Sequence, residues 1–211
     1  MKSWLWPGVT WTAALTALAV WFGAGRVEAD IGDRAGAALS PFVWAAFDVD
    51  GRDVTLSGVA PDPAARDAAR QALRQVAGIH AVNDLTSVLP LASPYVLKIM
   101  KSSDAVIFSG SIPDNALRDR LTEAAESAMP GVATDDEMAL ARGSGPQFQD
   151  SALFALQLAA KLKDGTVAIS DHSLSVKGTA ADAGARDAIG KVLAAPLPFG
   201  LKLAENDVAL P

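Results

Sequence analysis

The sequence predicts an α+β protein in which three small two-layer α/β sandwich repeats, each with a β-β-α-β core, follow an N-terminal transmembrane helix. Three observations lead to this prediction. One motif occurs three times without gaps, at Val54, Val106 and Leu174. Around each copy, apolar residues recur first with the period of a strand and then with the period of a helix. Residues 3–25 carry no charged side chain.

The repeated motif is expected to join the end of a strand to the start of a helix. Its recurring residues are a glycine, an aspartate and an arginine, with a second aspartate after the arginine. They are Gly58, Gly110 and Gly178; Asp62, Asp114 and Asp182; and Arg66, Arg118 and Arg186. The glycine allows the following helix to cross close to the backbone, or allows a positive φ. The first aspartate can cap the helix, because its carboxylate accepts free N–H groups there.

The recurring arginine has two interpretations. It is expected to pair with an acidic neighbour or with the closing strand of its repeat. Alternatively, Arg66, Arg118 and Arg186 form a row that binds phosphate head groups. The structural interpretation is favoured because an aspartate follows each arginine directly and neutralises its charge.

The N-terminal segment has the properties of a membrane element. A helix over residues 7–25 has roughly the length of the hydrocarbon core of a bilayer. Trp4 and Trp6 near one end and Trp21 near the other fit the two membrane interfaces, where an indole ring is favoured. The domain boundaries follow from this segment and from the repeats: 1–29 for the anchor or signal segment, then 30–90, 93–142 and 146–211 for the repeats.

The flanking charges indicate an orientation. Lys2 precedes the segment and Arg26, Glu28 and Asp30 follow it, which places the N-terminus in the cytoplasm and the body in the periplasm of a Gram-negative cell. The alternative is a signal peptide that is cleaved after Ala29, which would leave a soluble periplasmic protein. The anchor is favoured, because the apolar stretch is longer than a signal sequence requires.

The first repeat is predicted to begin with a short helix over residues 30–39 and a hairpin. Alternating apolar residues from Val43 to Val49 and at Val54 and Leu56 form its two strands, with a turn at residues 50–51. A helix starts at Pro63 and buries apolar residues at helical spacing. One strand over residues 80–89, with Val82, Leu85 and Val88, closes the repeat.

The second and third repeats are predicted to follow the same order. Strands over residues 95–102 and 105–111, a helix over 114–128 and a strand over 132–140 form the second. The third regains a leading helix, over residues 148–162. Strands over 167–170 and 174–179, a helix over 182–194 and a strand over 201–210 follow it.

Composition excludes several classes of function. The formal net charge is −6, and the sequence has no concentrated basic face, so nucleic acid is not expected as a partner. The chain has no cysteine, which rules out disulfides and thiol catalysis.

No catalytic, cofactor or metal site is predicted. His80 and His172 lie in different repeats without a second ligand at metal-binding spacing, and solvated strand positions explain them better. The acids of residues 48–53 are read as a hairpin turn, since the distal glutamate of a calcium loop is missing. Asp135, Asp136 and Glu137 are read as solvated strand residues.

The motif and its flanking strands resemble the BON domain, a module of bacterial envelope and osmotically induced proteins. The resemblance rests on Val54-Thr-Leu-Ser-Gly and on the Pro-Asp that precedes the helix, and it is weaker in the third copy, where Lys177 and Ala181 replace a serine and a proline. A membrane segment before tandem BON-like units is also similar to the front part of envelope proteins of the outer-membrane-protein-A family. Their peptidoglycan-binding domain has no counterpart in these residues, so wall binding is not expected from them.

The resemblance implies a non-enzymatic scaffold or adaptor in the periplasm, tethered to the inner membrane and associated with phospholipid surfaces or envelope proteins. A second hypothesis is an accessory subunit of a larger inner-membrane complex, docked through the tryptophan-rich helix. A third is a periplasmic enzyme or metal-binding protein, which the sequence does not favour.

Overall fold

A computed structural model describes residues 5–210, which divide into two compact units, Met1–Leu89 and Pro90–Pro211. Trp4 lies outside the described residues. The side chains of Trp6 and Trp21 also lie outside the described part, so the predicted interfacial tryptophans stay a prediction.

The first unit begins with one long helix, α1 (Leu5–Leu39), where the sequence indicated two separate helices. The charged residues from Arg26 onward interrupt the apolar stretch, but they are compatible with helical backbone and do not end the helix. The last part of α1 packs on the unit, through the buried residues Ile31, Ala35 and Leu39. Within residues 5–210, no helix combines the length and the apolar character needed to cross a membrane.

The sheet of the first unit is built on the predicted hairpin. Strand β1 (Ala45–Asp50) pairs antiparallel with β2 (Asp53–Ala60), and helix α2 (Pro63–Arg74) returns the chain so that the next strand pairs parallel with β2. One face of the sheet and the two helices bury a small core. Its fully buried residues are Ile31, Ala35, Leu39, Val54, Leu56, Ala69 and Leu73.

The closing strand of this unit is interrupted, whereas the sequence predicted one continuous strand. Its two parts are β3 (Ala81–Asp84) and β4 (Ser87–Val88), and both pair with β2. The carboxylate of Asp84 accepts the backbone N–H and the hydroxyl of Thr86, which turns the chain between them. Leu85, which was predicted to lie within one continuous strand, falls at this interruption and is 65% exposed.

The second unit contains a six-stranded sheet that includes both of the remaining motif copies. Its strands are β5 (Val96–Lys101), β6 (Ala105–Ile112), β7 (Ala133–Leu140), β8 (Leu162–Ser170), β9 (Ser173–Ala180) and β10 (Lys202–Ala209). The spatial order is β10-β9-β8-β5-β6-β7. The first strands of the two hairpins, β5 and β8, pair antiparallel, so the structure groups residues 93–142 and 146–211 into one unit.

Three helices cover this sheet: α3 (Asn115–Ala128), α4 (Phe148–Ala160) and α5 (Ala183–Ala194). Helix α4 packs on both β8 and β5 and against α3, so it covers the junction between the two hairpins. Tyr95 and Phe148 meet edge to face at 4.8 Å between ring centroids, and the Tyr95 hydroxyl donates to the Ala141 carbonyl at 3.0 Å. One continuous core therefore includes residues from both halves of the unit.

The same β-β-α-β order thus occurs three times along the chain. Each time, an antiparallel hairpin is followed by a helix and by a closing strand that pairs parallel with the second hairpin strand. The crossing helices α2, α3 and α5 begin close to the predicted positions.

The pairing of β5 with β8 makes the second unit a single cooperative structure. Ile99 is fully buried on β5 and lies between Phe108 and Val167 in register. We expect Ile99→Ala to lower the free energy of unfolding by about 2 to 5 kcal/mol. Hydrogen exchange should show that strands β6 and β9 lose protection together. Lys98→Ala, at the exposed neighbouring position, should change stability by less than about 0.5 kcal/mol. Loss of protection in only one hairpin would contradict a single unit.

Candidate functional site

The recurring glycine allows a close backbone contact within each hairpin. Gly58, Gly110 and Gly178 have positive φ values of 118°, 109° and 135°. A Cβ at these positions would overlap the carbonyl oxygens of Trp44, Val96 and Asp164, respectively. The close neighbour thus lies in the first hairpin strand, or directly before it at Trp44. The sequence had suggested either a close approach of the following helix or a positive φ, and the structure shows the positive φ. Both the steric contact and the positive φ require glycine.

Replacing this glycine should damage the fold strongly. Gly110→Ala should lower the free energy of unfolding by about 2 to 4 kcal/mol, because the methyl group overlaps the Val96 carbonyl in a backbone conformation that alanine disfavours. Chemical denaturation measures this change. Gly190→Ala is the matched control in helix α5, where a Cβ meets nothing within 4 Å. It should stabilise the protein by about 0.5 to 1 kcal/mol. Equal effects of the two substitutions would contradict the steric explanation.

The recurring aspartate is the N-cap of each crossing helix. The carboxylates of Asp62, Asp114 and Asp182 accept the N–H groups of Ala65, Leu117 and Ala185 at 2.8, 2.8 and 2.7 Å. Each aspartate is extended, with φ between −152° and −158°. These carboxylates stabilise the first turn of the helix, as the sequence predicted, and this local role explains the position without a ligand.

The recurring arginine reaches the closing strand most clearly in the second copy. Arg118 donates from Nη2 to the Met138 carbonyl at 2.7 Å, and its Nε lies 2.8 Å from the Asp136 carboxylate. Its Nη1 also donates to the Asn115 side chain at 2.6 Å. The guanidinium therefore ties helix α3 to strand β7 through Nη2 and through the ion pair with Asp136, while its buried Nε makes no hydrogen bond to any residue that the structure describes.

In the first copy the arginine is part of a looser charged cluster. Nη2 of Arg66 lies 3.7 Å from a carboxylate oxygen of Asp67, and Nη1 of Arg70 lies 3.9 Å from a carboxylate oxygen of Asp84 on the closing strand. The hydroxyl of Thr86 is the main cause that holds the pKa of Asp84 below its usual range, and the charges of Arg66 and Arg70 lower it further, while burial opposes them. The carboxylate of Asp84 is therefore held in its ionised form.

The hydrogen bond from Thr86 gives a test of this carboxylate. Thr86→Val removes the hydroxyl at 2.5 Å, so the pKa of Asp84 should rise toward its ordinary value. Because the folded state lowers this pKa, its contribution to stability is present at neutral pH and is lost as the pH falls through the lowered pKa. The free energy of unfolding of Thr86→Val should consequently fall less between neutral and acid pH than that of the unmodified protein. Side-chain NMR titration measures the pKa, with Ser87→Ala as the control. An unchanged pKa in Thr86→Val would refute the assignment.

The third copy differs from the other two. Arg186 is exposed, and its one hydrogen bond to the closing strand, from Nε to the Val208 carbonyl, is long at 3.5 Å. The partner residues Asp84 and Asp136 were not identified from the sequence, although they lie at the same distance along the chain from Arg66 and Arg118. That shared spacing was the available signal, and the third copy lacks it.

The histidines and acidic runs form no joint site. His80 is exposed just before β3, with Nδ1 3.0 Å from an Asp53 oxygen, and His172 lies in the turn between β8 and β9. The acids of residues 48–53 lie in the β1–β2 hairpin. Asp136 is engaged by Arg118 and by the N–H of Met138. Within residues 5–210, no group of three or more potential metal ligands comes together.

The hairpin, capped helix and parallel closing strand of the first unit can be compared with known families. Residues 47–90 match the BON domain family. A BON domain is found in this part of the chain. Its bounds contain β2, α2 and both parts of the closing strand. The family match indicates no catalytic family for these residues. No curated protein matches the chain.

Two solved structures are similar to this chain at low identity and low TM-score. The C-terminal domain of CdsD, a structural protein of the type III secretion system of Chlamydia trachomatis, is 12% identical with a TM-score of 0.29, and the match covers 85% of this chain and 96% of that chain. A second structure of CdsD is 13% identical with a TM-score of 0.32, covering 86% and 92%. Values this low do not establish a shared overall fold.

Proposed function

We propose that the protein is a non-enzymatic scaffold or adaptor of the cell envelope, which associates with phospholipid surfaces or envelope proteins. One observation above all supports this proposal: the charged residues of the motif serve the fold. The aspartates cap helices, and Arg118 binds its own closing strand. Side chains that are occupied in this way are not available for acid–base or nucleophilic chemistry. The BON domain at residues 47–90 is consistent with the same role.

We further propose that the N-terminal segment holds the protein at the inner membrane, with its body in the periplasm. Residues 3–25 carry no charge, and several large apolar side chains of α1 are exposed, among them Trp11 at 69% and Leu15 at 59%. Ile31 begins the part of α1 that packs on the first unit. Exposed apolar surface of this kind is stabilised by lipid or by an apolar partner.

The contacts of α1 favour retention of the segment over cleavage after Ala29. The Glu28 carboxylate accepts the N–H of Gly51 at 2.7 Å, in the turn of the β1–β2 hairpin. Cleavage would remove Glu28 and interrupt the continuous helix that carries Ile31 into the core. The segment before Asp30 therefore contributes to the fold of the first unit.

The accessory-subunit hypothesis is supported by the same exposed residues. A helix that presents Trp11 and Leu15 can pack on the transmembrane helices of a larger complex as well as on lipid. The scaffold and the accessory-subunit hypotheses both place a non-enzymatic protein at the inner membrane. They differ in whether the membrane fraction contains the protein alone or in a stable complex.

The N-terminal residue of the mature protein and its cellular fraction test this proposal. We expect Met1 at the N-terminus and recovery in the inner-membrane fraction. Leu15→Lys combined with Leu18→Lys should release the protein, because charge within the apolar stretch is costly in lipid. Asp33→Lys alters charge on the packed half of α1 and should leave the distribution unchanged. A soluble mature protein that starts at Asp30 would exclude the tether, and a cytoplasmic protein would exclude the envelope role.

A further inference from the structure

The parallel register identifies one equivalent position on all three closing strands. Leu56, Phe108 and Val176 each lie two residues before the recurring glycine. Their partners on the closing strands are Asp84, Asp136 and Asn206. The first two also share a local structure, since each carboxylate accepts the N–H of the second residue after it, at 3.0 Å in Asp84 and 2.8 Å in Asp136.

This position supplies a carboxylate near the recurring arginine in two copies and an amide in the third. Asp136 lies 2.8 Å from Arg118, and Asp84 lies in the charged cluster of Arg66 and Arg70. Asn206 carries no charge that could compensate Arg186. Across residues 5–210, no carboxylate lies within 4.0 Å of the side-chain nitrogens of Arg186 or Lys191.

Arg186 and Lys191, which form no ion pair within residues 5–210, line an open groove between α5 and β10, and Asp187 lies beside them. The groove has a volume of about 480 Å³, and its lining includes Arg186, Asp187, Gly190, Lys191, Asn206 and Val208. Gly190 leaves the helix side of the groove free, because a Cβ there would meet nothing within 4 Å. Helices α2 and α3 pack against α1 and α4, respectively, whereas α5 packs on its own strands β9 and β10. The groove is therefore accessible from solvent.

Strand β10 adds a second recognition element beside the groove. It is the terminal strand of the six-stranded sheet and pairs on one side with β9. Its other side presents backbone N–H and C=O groups that an extended segment can bind as an added strand. The strand edge offers backbone pairing to an extended chain, and the preference for an acidic side chain comes from Arg186 and Lys191 in the groove, since β10 itself carries Glu205 and Asp207.

We propose that the groove between α5 and β10 binds a carboxylate side chain from an acidic, extended segment of a protein partner. This carboxylate takes the place that Asp136 occupies next to Arg118 in the second copy. A carboxylate is favoured over a phosphate because the fold itself pairs the equivalent arginine of the second copy, Arg118, with a carboxylate. The inference rests on the proposed scaffold function and specifies the chemistry of its partner.

A hexaglutamate peptide tests the groove directly. Titration into the full-length ¹⁵N-labelled protein at low salt should shift the amide signals of α5 and β10. Arg186→Gln, Lys191→Gln and Asn206→Asp should each weaken binding by about tenfold, the loss expected for one charge-assisted contact. Asn206→Asp is the most specific variant, because it keeps the size of the side chain and restores the internal carboxylate. Lys98→Gln is the control variant, since it also removes one lysine charge but lies on the opposite face of the sheet from the groove. Its affinity for hexaglutamate should equal that of the unmodified protein.

Titrations with other ligands and with the variants define the results that would overturn the inference. Equal affinity for hexaglutamine, or unchanged hexaglutamate affinity in both Arg186→Gln and Asn206→Asp, would refute a carboxylate site. Shifts of the same signals by inorganic phosphate or by phosphatidylglycerol vesicles, without shifts by hexaglutamate, would replace it with a phosphate or lipid site. Circular dichroism and thermal unfolding confirm that each variant is folded before its affinity is interpreted.

A cross-linking experiment in cells separates this inference from the proposed function. If envelope proteins are captured equally by the unmodified chain and by Asn206→Asp, the scaffold function stands and the groove inference fails. If hexaglutamate binding depends on Arg186 while neither chain captures an envelope protein, the groove inference stands and the scaffold function fails.

Discussion

The contact between the recurring glycine and the first hairpin strand is the constraint on which the rest of each copy depends. In all three hairpins, a backbone carbonyl occupies the space where a Cβ would lie. Each glycine has a positive φ but stays within its strand, which continues for two more residues, to Ala60, Ile112 and Ala180, so the expectation that the glycine ends the strand is wrong. The aspartate that caps the crossing helix follows two residues after the strand ends. The cap sets the start of the helix, and the start of the helix sets the place at which the arginine meets the closing strand. One steric requirement therefore positions the charged residues that follow.

Sharing of a sheet explains how such small copies are stabilised. A single hairpin, helix and closing strand bury little apolar area, and a domain of this size is only marginally stable alone. In the second unit, the pairing of β5 with β8 and the helix α4 above them join two copies around one core. In the first unit, the C-terminal part of α1 provides the additional packing. Each copy thus obtains a covering element, but by different means.

The arginine position shows how the same fold can serve structure in one place and recognition in another. Arg118 is held by Asp136 and the Met138 carbonyl, so it links α3 to β7. Replacement of the acid by Asn206 removes this link in the third copy and leaves Arg186 exposed beside a groove. The backbone pairing of β10 with β9 is retained without this side-chain link. Divergence from the repeat pattern, more than the pattern itself, therefore indicates the functional surface.

The sequence by itself determined the local elements: the hairpins, the helix caps, and the order of strands and helix in each copy. These features depend on short-range periodicity and on the chemistry of single residues such as Asp114 and Gly110, which act through their immediate neighbours. The tertiary structure alone decided which strand edges pair, where the closing strand breaks at Leu85, and which acid faces which arginine. An alternating strand has the same pattern whether its edge meets solvent or another strand, because the side-chain period does not depend on backbone pairing partners. Contacts between residues far apart in the chain therefore left little signal in the sequence.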